Sequence, residues 1–339
     1  MKAWVLHRHG APERSLELRE VPDPVPGAGQ VLIRSEGFGL NYADVMAVKG
    51  LYREAPPPPC VLGYETVGRV ERCGAGVPAD LLGKRVTAIC RFGGHAELVV
   101  TDPSALAVIP DDLELGVALA LATQGCTAWY MARMALGLRK GQRVLVHSAA
   151  GGVGQLLVQL ALQSGCEVFA IASGAKKREL LLRSGATHVI DRSRNRTYAE
   201  LRRLLNGHRI DVSFNAVGGS TFKQDLRLLA PAGALVLFGG AERGAASGPF
   251  GTLRFVWNMG LVVPILLMMK SRSLIGVNML RVAEQRPDQL AECLAATVEA
   301  CREGMLRPQV HRTFPASELP LAIAELGSGS TAGKVALRW

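Results

Sequence analysis

The sequence predicts an α/β fold, a doubly wound parallel sheet joined to a smaller β-barrel domain. Three observations predict it. Residues 141–155 read as a short apolar strand (144–147), a turn of small residues (149–154) and a helix (155–162). Further strand-like runs follow at 167–173, 188–191, 211–217 and 234–238, with helical patterns between them, which is the alternation of a parallel sheet. The first 122 residues carry instead short alternating runs rich in Val, Gly and Pro.

In chain order, residues 1–7 read as a strand, and 31–35, 67–71 and 85–89 as strands of the small barrel. Pro56 to Pro59 form a stiff loop. From about 123 to 270 the strand–helix alternation dominates. Gly218-Gly219 and Gly239-Gly240 close the last two strands of that region, at the carboxyl ends where open parallel sheets bind ligands. Residues 288–304 form an amphipathic helix, and the chain ends on a strand at 334–338. The expected division is a barrel domain over 1–122, a nucleotide domain over 123–270, and an edge strand with a return to the first domain over 271–339.

The strand–turn–helix unit points free backbone N–H groups and a helix dipole at a pyrophosphate. An ordinary strand-to-helix turn would show the same residues, but a second strand follows the helix. That strand ends Ala172-Ser173-Gly174, with Lys176-Lys177-Arg178 next, where a site for a bare ribose 2′-hydroxyl ends in Asp or Glu. The missing carboxylate and the cations suit a 2′-phosphate, so NADPH is expected over NADH. The alternative for the three cations is a solvated helical turn.

With 48% hydrophobic and 20% charged residues, 339 residues can bury two sizeable cores. The net charge of +10 is scattered and aromatics are only 5%, which argues against nucleic-acid binding but leaves room for attraction to anionic membranes. Seven cysteines with no Cys-x-x-Cys pair, and a first segment without a signal-peptide core, fit a reduced cytoplasmic protein. Residues 256–269 are strongly apolar, yet shorter than the ~20 residues of a spanning helix and interrupted by Pro264. Two readings stand: a helix buried over a pocket or interface, and a surface that makes weak membrane contact or lines an apolar channel.

Asn41-Tyr42-Ala43-Asp44, residues 63–70 (GYETVGRV), 92–97 (FGGHAE) and 149–154 occur in the order found in the medium-chain dehydrogenase/reductase superfamily, which the chain resembles along its whole length. It is most similar to the zinc-free quinone oxidoreductase group, and Trp257-Asn258, Pro264 and residues 276–280 (GVNML) resemble the vesicle-amine-transport-protein-like branch. The resemblance implies a GroES-like catalytic domain, a Rossmann domain for NADPH, and a homodimer paired through an edge strand at 272–278. Zinc members place cysteine at the slot of Asn41, histidine at Tyr64 and cysteine near Thr123. Only Glu65 survives, and one carboxylate cannot supply a tetrahedral zinc site, so no metal is expected and Glu65 is read as a structural hydrogen-bonding partner.

By the same resemblance, Asn41 contacts the nicotinamide ribose or the substrate oxygen, and Tyr52 donates a proton. Thr127 touches the nicotinamide end. Gly151, Gly152 and Val153 hold the pyrophosphate, Ser173 and Lys177 the 2′-phosphate. Arg192 stands beside the adenine, where relatives often carry an aromatic residue, and Asn278 and Lys334 reach the cofactor from the returning segment. Tyr52 as a cleft wall is the alternative to the donor. Cys126, Tyr42 and Tyr64 are read as packing residues, and His95 and His147 as core or turn histidines. Without a metal, conjugated acceptors are the easier substrates, because hydride addition gives a delocalised anion. The expected function is therefore NADPH-dependent reduction of quinones or enones. The competing readings are an NADPH-binding, membrane- or lipid-associated protein with little turnover, and an enoyl-thioester reductase, for which no dedicated basic motif is present.

Overall fold

The computed structural model describes residues 1–194, 196–245 and 248–339. The chain folds as two compact units, Met1–Thr127 with Met279–Trp339, and Ala128–Asn278. The returning segment therefore begins after the edge strand, which belongs to the second unit.

In the first unit, Val31–Leu40 is the hub of a seven-stranded sheet. It pairs antiparallel with Glu65–Cys73, Leu98–Thr101 and the final strand, Lys334–Arg338, with Val335 opposite Leu40. Glu65–Cys73 continues to Arg85–Ile89 and Leu106–Val108, and Val310–Pro315 flanks the final strand. A second sheet of Leu16–Glu20, Lys2–Leu6 and Cys60–Val61 lies beside it in sequence and shares its core, in which Trp4, Leu6, Phe38, Leu40, Phe314 and Leu337 pack together. Alternation decides the faces: successive side chains of a strand point to opposite sides, so the apolar set of each short run buries together. The barrel-like unit is completed by the helix Pro287–Arg302, whose Leu290, Cys293, Leu294, Thr297 and Ala300 are buried.

The second unit carries a six-stranded, wholly parallel sheet in the order His188–Asp191, Glu167–Ala172, Arg143–Val146, Ile210–Asn215, Leu229–Leu237, Ser273–Gly276. The central strands are apolar and buried almost throughout, as helix-covered parallel strands require. The order reverses between Arg143–Val146 and Ile210–Asn215, and the glycine turn stands at that switch point, where such sheets bind ligands.

Residues 256–269, read from the sequence either as a helix over a pocket or interface or as an exposed apolar surface, lie on the surface of this chain. They lie in the helices Gly248–Met259 and Pro264–Met269 and the link between them, and their large apolar side chains face outward: Trp257 is 79%, Leu261 90% and Met269 72% exposed. Pro264 opens the second helix at its first position, where its missing N–H has no cost. Among the described residues no helix is long and apolar enough to cross a membrane.

Candidate active site and nucleotide-binding turn

In the first unit a buried polar network gathers around Glu65. Its Oε1 meets the ammonium of Lys334 and accepts a hydrogen bond from Asn41 Nδ2 at 3.1 Å, while its Oε2 accepts from the backbone N–H of Thr123 at 2.9 Å. Lys334 and Glu65 are both fully buried. Lys334 Nζ also donates to the carbonyl of Leu40 at 3.3 Å, and Gln124 Nε2 donates to Asn41 Oδ1 at 3.2 Å. Local structure explains each position. Asn41 precedes the helix Tyr42–Val48, and its backbone N–H donates to Asp44 Oδ2 at 2.8 Å. Helical dihedrals break at Ala122, within the wide turn Leu121–Gly125, which leaves the Thr123 N–H free to reach Glu65. Gly39 faces the ion pair, and a Cβ there would overlap Glu65 Oε1 and the Lys334 side chain.

Tyr52 lies just past the same helix, half-buried, with its ring edge-on to Tyr64 at 6.0 Å. Burial, with the charges of Glu54 and Asp44 adding to it, pushes the Tyr52 phenol up to about 12, so it keeps its proton at neutral pH. Thr127 donates its hydroxyl to the Thr123 carbonyl at 2.6 Å. The unit thus brings Asn41 together with Glu65, Lys334, Thr123 and Gln124. Lys334, expected to reach a cofactor, is fully buried and paired with Glu65. Sequence reasoning missed Gln124 and the Lys334–Glu65 pairing, because the partners stand 269 residues apart and no spacing rule joins them.

In the second unit the strand Arg143–Val146 runs into the turn, and the helix Gly152–Gln163 opens with no side-chain cap. Its first N–H groups are the four donors a helix cannot satisfy internally. Gly154 is required by close approach, since a Cβ there would overlap the Ser148 carbonyl. Ser148 itself takes a left-handed φ of 51°. Beneath the turn, His147 Nε2 lies 2.8 Å from Asp225 Oδ2, and Asp225 accepts from Tyr198 Oη at 2.6 Å, Asn215 Nδ2 at 2.6 Å and Ser213 Oγ at 2.8 Å. Burial pushes this carboxyl up, but His147 and the donors outweigh it and hold Asp225 below its ordinary value. No sequence motif announces this cluster.

A cavity of about 550 Å³ beside the turn is lined by His147, Ser148, Ile171, Arg192, Arg196 and Val217. Ser173 and Gly174 follow the strand Glu167–Ala172, and Lys177 stands in the first turn of the next helix, Ala175–Arg183. Burial pushes the Lys177 ammonium down, and the charge of Arg192 adds to the effect, so two cations converge here. Asp191 ends the neighbouring strand but is turned to Gly174 N–H (3.3 Å) and to the N–H and hydroxyl of Ser193 (2.9 and 2.7 Å). Asn278 is exposed at the end of the unit.

Family models match both parts of the chain: the alcohol dehydrogenase GroES-like domain over residues 27–135 and the zinc-binding dehydrogenase over 152–296. The human synaptic vesicle membrane protein VAT-1 homolog is 32% identical over 95% of this chain and 82% of its own length. A quinone oxidoreductase of Pseudomonas aeruginosa is 31% identical over 97% of both chains. The solved structure of a mycobacterial protein complexed with NADPH superposes with a TM-score of 0.87, at 30% identity, over 100% of both chains.

Proposed function

This chain belongs to the medium-chain dehydrogenase/reductase superfamily, in the quinone oxidoreductase group, and from that premise we propose that it is an NADPH-dependent, zinc-independent reductase of quinones and other conjugated carbonyl acceptors. The observation that carries this reading is the Lys334–Glu65 pair. Asn41, Tyr64 and Thr123 present an amide, a phenol and a hydroxyl, and the one carboxylate among them already faces an ammonium ion. A divalent zinc needs about four Cys, His or carboxylate donors and would sit against that fixed positive charge, so these residues do not fit it. Among the described residues no cluster of three or more His, Cys, Asp or Glu could hold a metal ion.

NADPH, when bound, supplies the hydride. The N–H groups at Gly151, Gly152 and Val153 hold the pyrophosphate, and Ser173, Lys177 and Arg192 take the 2′-phosphate. Asn41 donates one amide N–H to Glu65 and has a second for the substrate oxygen. Tyr52 supplies the proton to the oxygen on which charge develops. Thr127 stands at the nicotinamide end. Lys334 pairs with Glu65, which in turn holds Asn41. Seven free cysteines suit a reduced, cytoplasmic setting. The edge strand Ser273–Gly276 and the exposed apolar residues before it suit a homodimer.

The test is nicotinamide absorbance with chelator present throughout, over a panel of quinones and enones with NADPH or NADH. Turnover with NADPH that survives chelation supports the reading; turnover only with added zinc overturns it. The exposed side chains of residues 250–269 favour a second reading, a lipid-associated NADPH-binding protein. That reading predicts tight NADPH binding, no turnover on any acceptor, and co-sedimentation with anionic liposomes that is lost in Trp257→Ser.

A further inference from the structure

Four charged side chains from three distant segments of the first unit form a chain of ion pairs that the chemistry above does not use. Arg281, on the short helix Met279–Gln285, meets both carboxylate oxygens of Glu54, with Nη2 2.9 Å from Oε2 and 3.1 Å from Oε1. Its Nη1 lies 3.0 Å from Glu284 Oε2, on the next turn of the same helix. The other Glu284 oxygen lies 2.5 Å from Arg91 Nη1. The helix has no fully buried side chain of its own, so the ion pairs are its tie to the loops that carry Glu54 and Arg91.

Both ends of Tyr52 lead to this helix. The main chain does so through Glu54. The Tyr52 carbonyl accepts from the Ala55 N–H at 3.1 Å, which closes a turn with Glu54 inside it. Up to residue 51 the chain is held by the end of the helix Tyr42–Val48, through Gly50 N–H to the Ala47 carbonyl (2.9 Å) and Leu51 N–H to the Met46 carbonyl (2.8 Å). Beyond the turn, Pro56 to Pro59 have no N–H with which to anchor the loop. The ring does so through aromatic contacts. Tyr52 is edge-on to Tyr64 at 6.0 Å, Tyr64 packs on Phe92 at 5.2 Å, and Phe92 follows Arg91, the partner of Glu284.

Pairs of this kind add little to stability, because solvent screens them and ordering the side chains costs entropy. Placement is where they count, since a small displacement of a reacting group slows chemistry far more than it loosens a fold. We propose that Arg281 is a positioning residue for Tyr52: by bridging Glu54 and Glu284 it fixes the turn Tyr52–Ala55 and so the phenol that meets the acceptor oxygen. This rests on the reading of Tyr52 as the proton donor. Arg281 takes no part in the proton transfer and acts through Glu54. A guanidinium suits the task because its separate Nη groups serve the two carboxylates at once, which a single ammonium does less well.

The experiment measures kcat at saturating NADPH with 2-cyclohexen-1-one, together with melting temperature, for the wild type, Arg281→Met, Arg281→Lys, Glu54→Gln, Tyr52→Phe and the double variant Tyr52→Phe with Arg281→Met. Arg281→Met and Glu54→Gln should each lower kcat about tenfold, yet melt within about 4 °C of the wild type. Arg281→Lys should fall between Arg281→Met and the wild type. In the Tyr52→Phe background Arg281→Met should cost nothing more, because the group it places is gone. Raising salt from about 50 to about 500 mM should lower kcat of the wild type and leave Arg281→Met unmoved, since both arginines are more than half exposed. Wild-type kcat in Arg281→Met overturns the proposal, as does an equal fall of kcat in the Tyr52→Phe background, which would mark a merely structural role. An impaired Tyr52→Phe beside either result overturns the positioning role alone. Full activity in Tyr52→Phe overturns the donor and the positioning role together, as does an absence of turnover on this enone.

Discussion

Lys334→Met is the most informative single change for stability. Methionine has nearly the length of lysine and no charge, so packing in the fully buried site is largely kept. What remains is a Glu65 carboxylate with two hydrogen bonds, from Asn41 Nδ2 and Thr123 N–H, and no counter-charge. Breaking a buried pair by removing one partner costs about 3–5 kcal/mol, mostly for the charge left behind. At roughly 2–4 °C per kcal/mol for a domain of this size, the melting temperature should fall by roughly 6–20 °C. Glu65→Gln should cost a similar amount by stranding the ammonium. Lys334→Met with Glu65→Gln should recover most of the loss, because two neutral groups replace two charges. The assay is thermal melting by circular dichroism for the four proteins, read as a double-mutant cycle. Single variants that melt within about 2 °C of wild type, or a double variant with the summed loss of both singles, would refute the reasoning.

Three further outcomes follow from the same geometry. Gly154→Ala should destabilise the chain by about 1–3 kcal/mol and weaken NADPH binding, seen in melts with and without cofactor, because the new Cβ meets the Ser148 carbonyl. Lys177→Ala and Arg192→Ala should each weaken NADPH about tenfold or more in a fluorescence titration and leave NADH nearly unchanged, since a charge-assisted phosphate contact is lost. His95, held neutral by burial, contributes stability that is present above the unfolded histidine value of about 6.5 and lost as pH falls toward 3, so His95→Phe should flatten the acid side of the stability profile in urea melts between these limits.

Much of the second unit was legible in the sequence because its rules are local. A four-residue apolar strand, a turn of small residues and a helix announce themselves within 15 positions, and Gly154 is glycine for a reason visible two turns of chain away. The parallel character of the sheet followed from the alternation, since parallel strands need crossovers, whereas their order comes from the structure. The network in the first unit was not legible. Asn41, Glu65 and Lys334 were each noticed singly, but the buried ion pair joins the strands Glu65–Cys73 and Lys334–Arg338, which both flank Val31–Leu40 and lie far apart in the chain, and Lys334 read as a cation for the cofactor. Asp225 and Tyr198 lie on different helices, Phe222–Leu228 and Thr197–Leu205, and bond each other while Asp225 meets His147 directly, contacts no local spacing joins. For the apolar stretch at 256–269 the sequence left burial and surface exposure both open, and in the single chain its large side chains lie on the surface.

The most direct measurement of the central claim follows the hydride. NADPH deuterated at the transferring C4 position is turned over with an enone under chelation, and the product is analysed by mass spectrometry and NMR. Deuterium at the β-carbon, with the carbonyl retained, is the predicted result. Deuterium on the carbonyl carbon, giving an allylic alcohol, or an absence of deuterated product, would contradict a metal-independent reductase of conjugated acceptors.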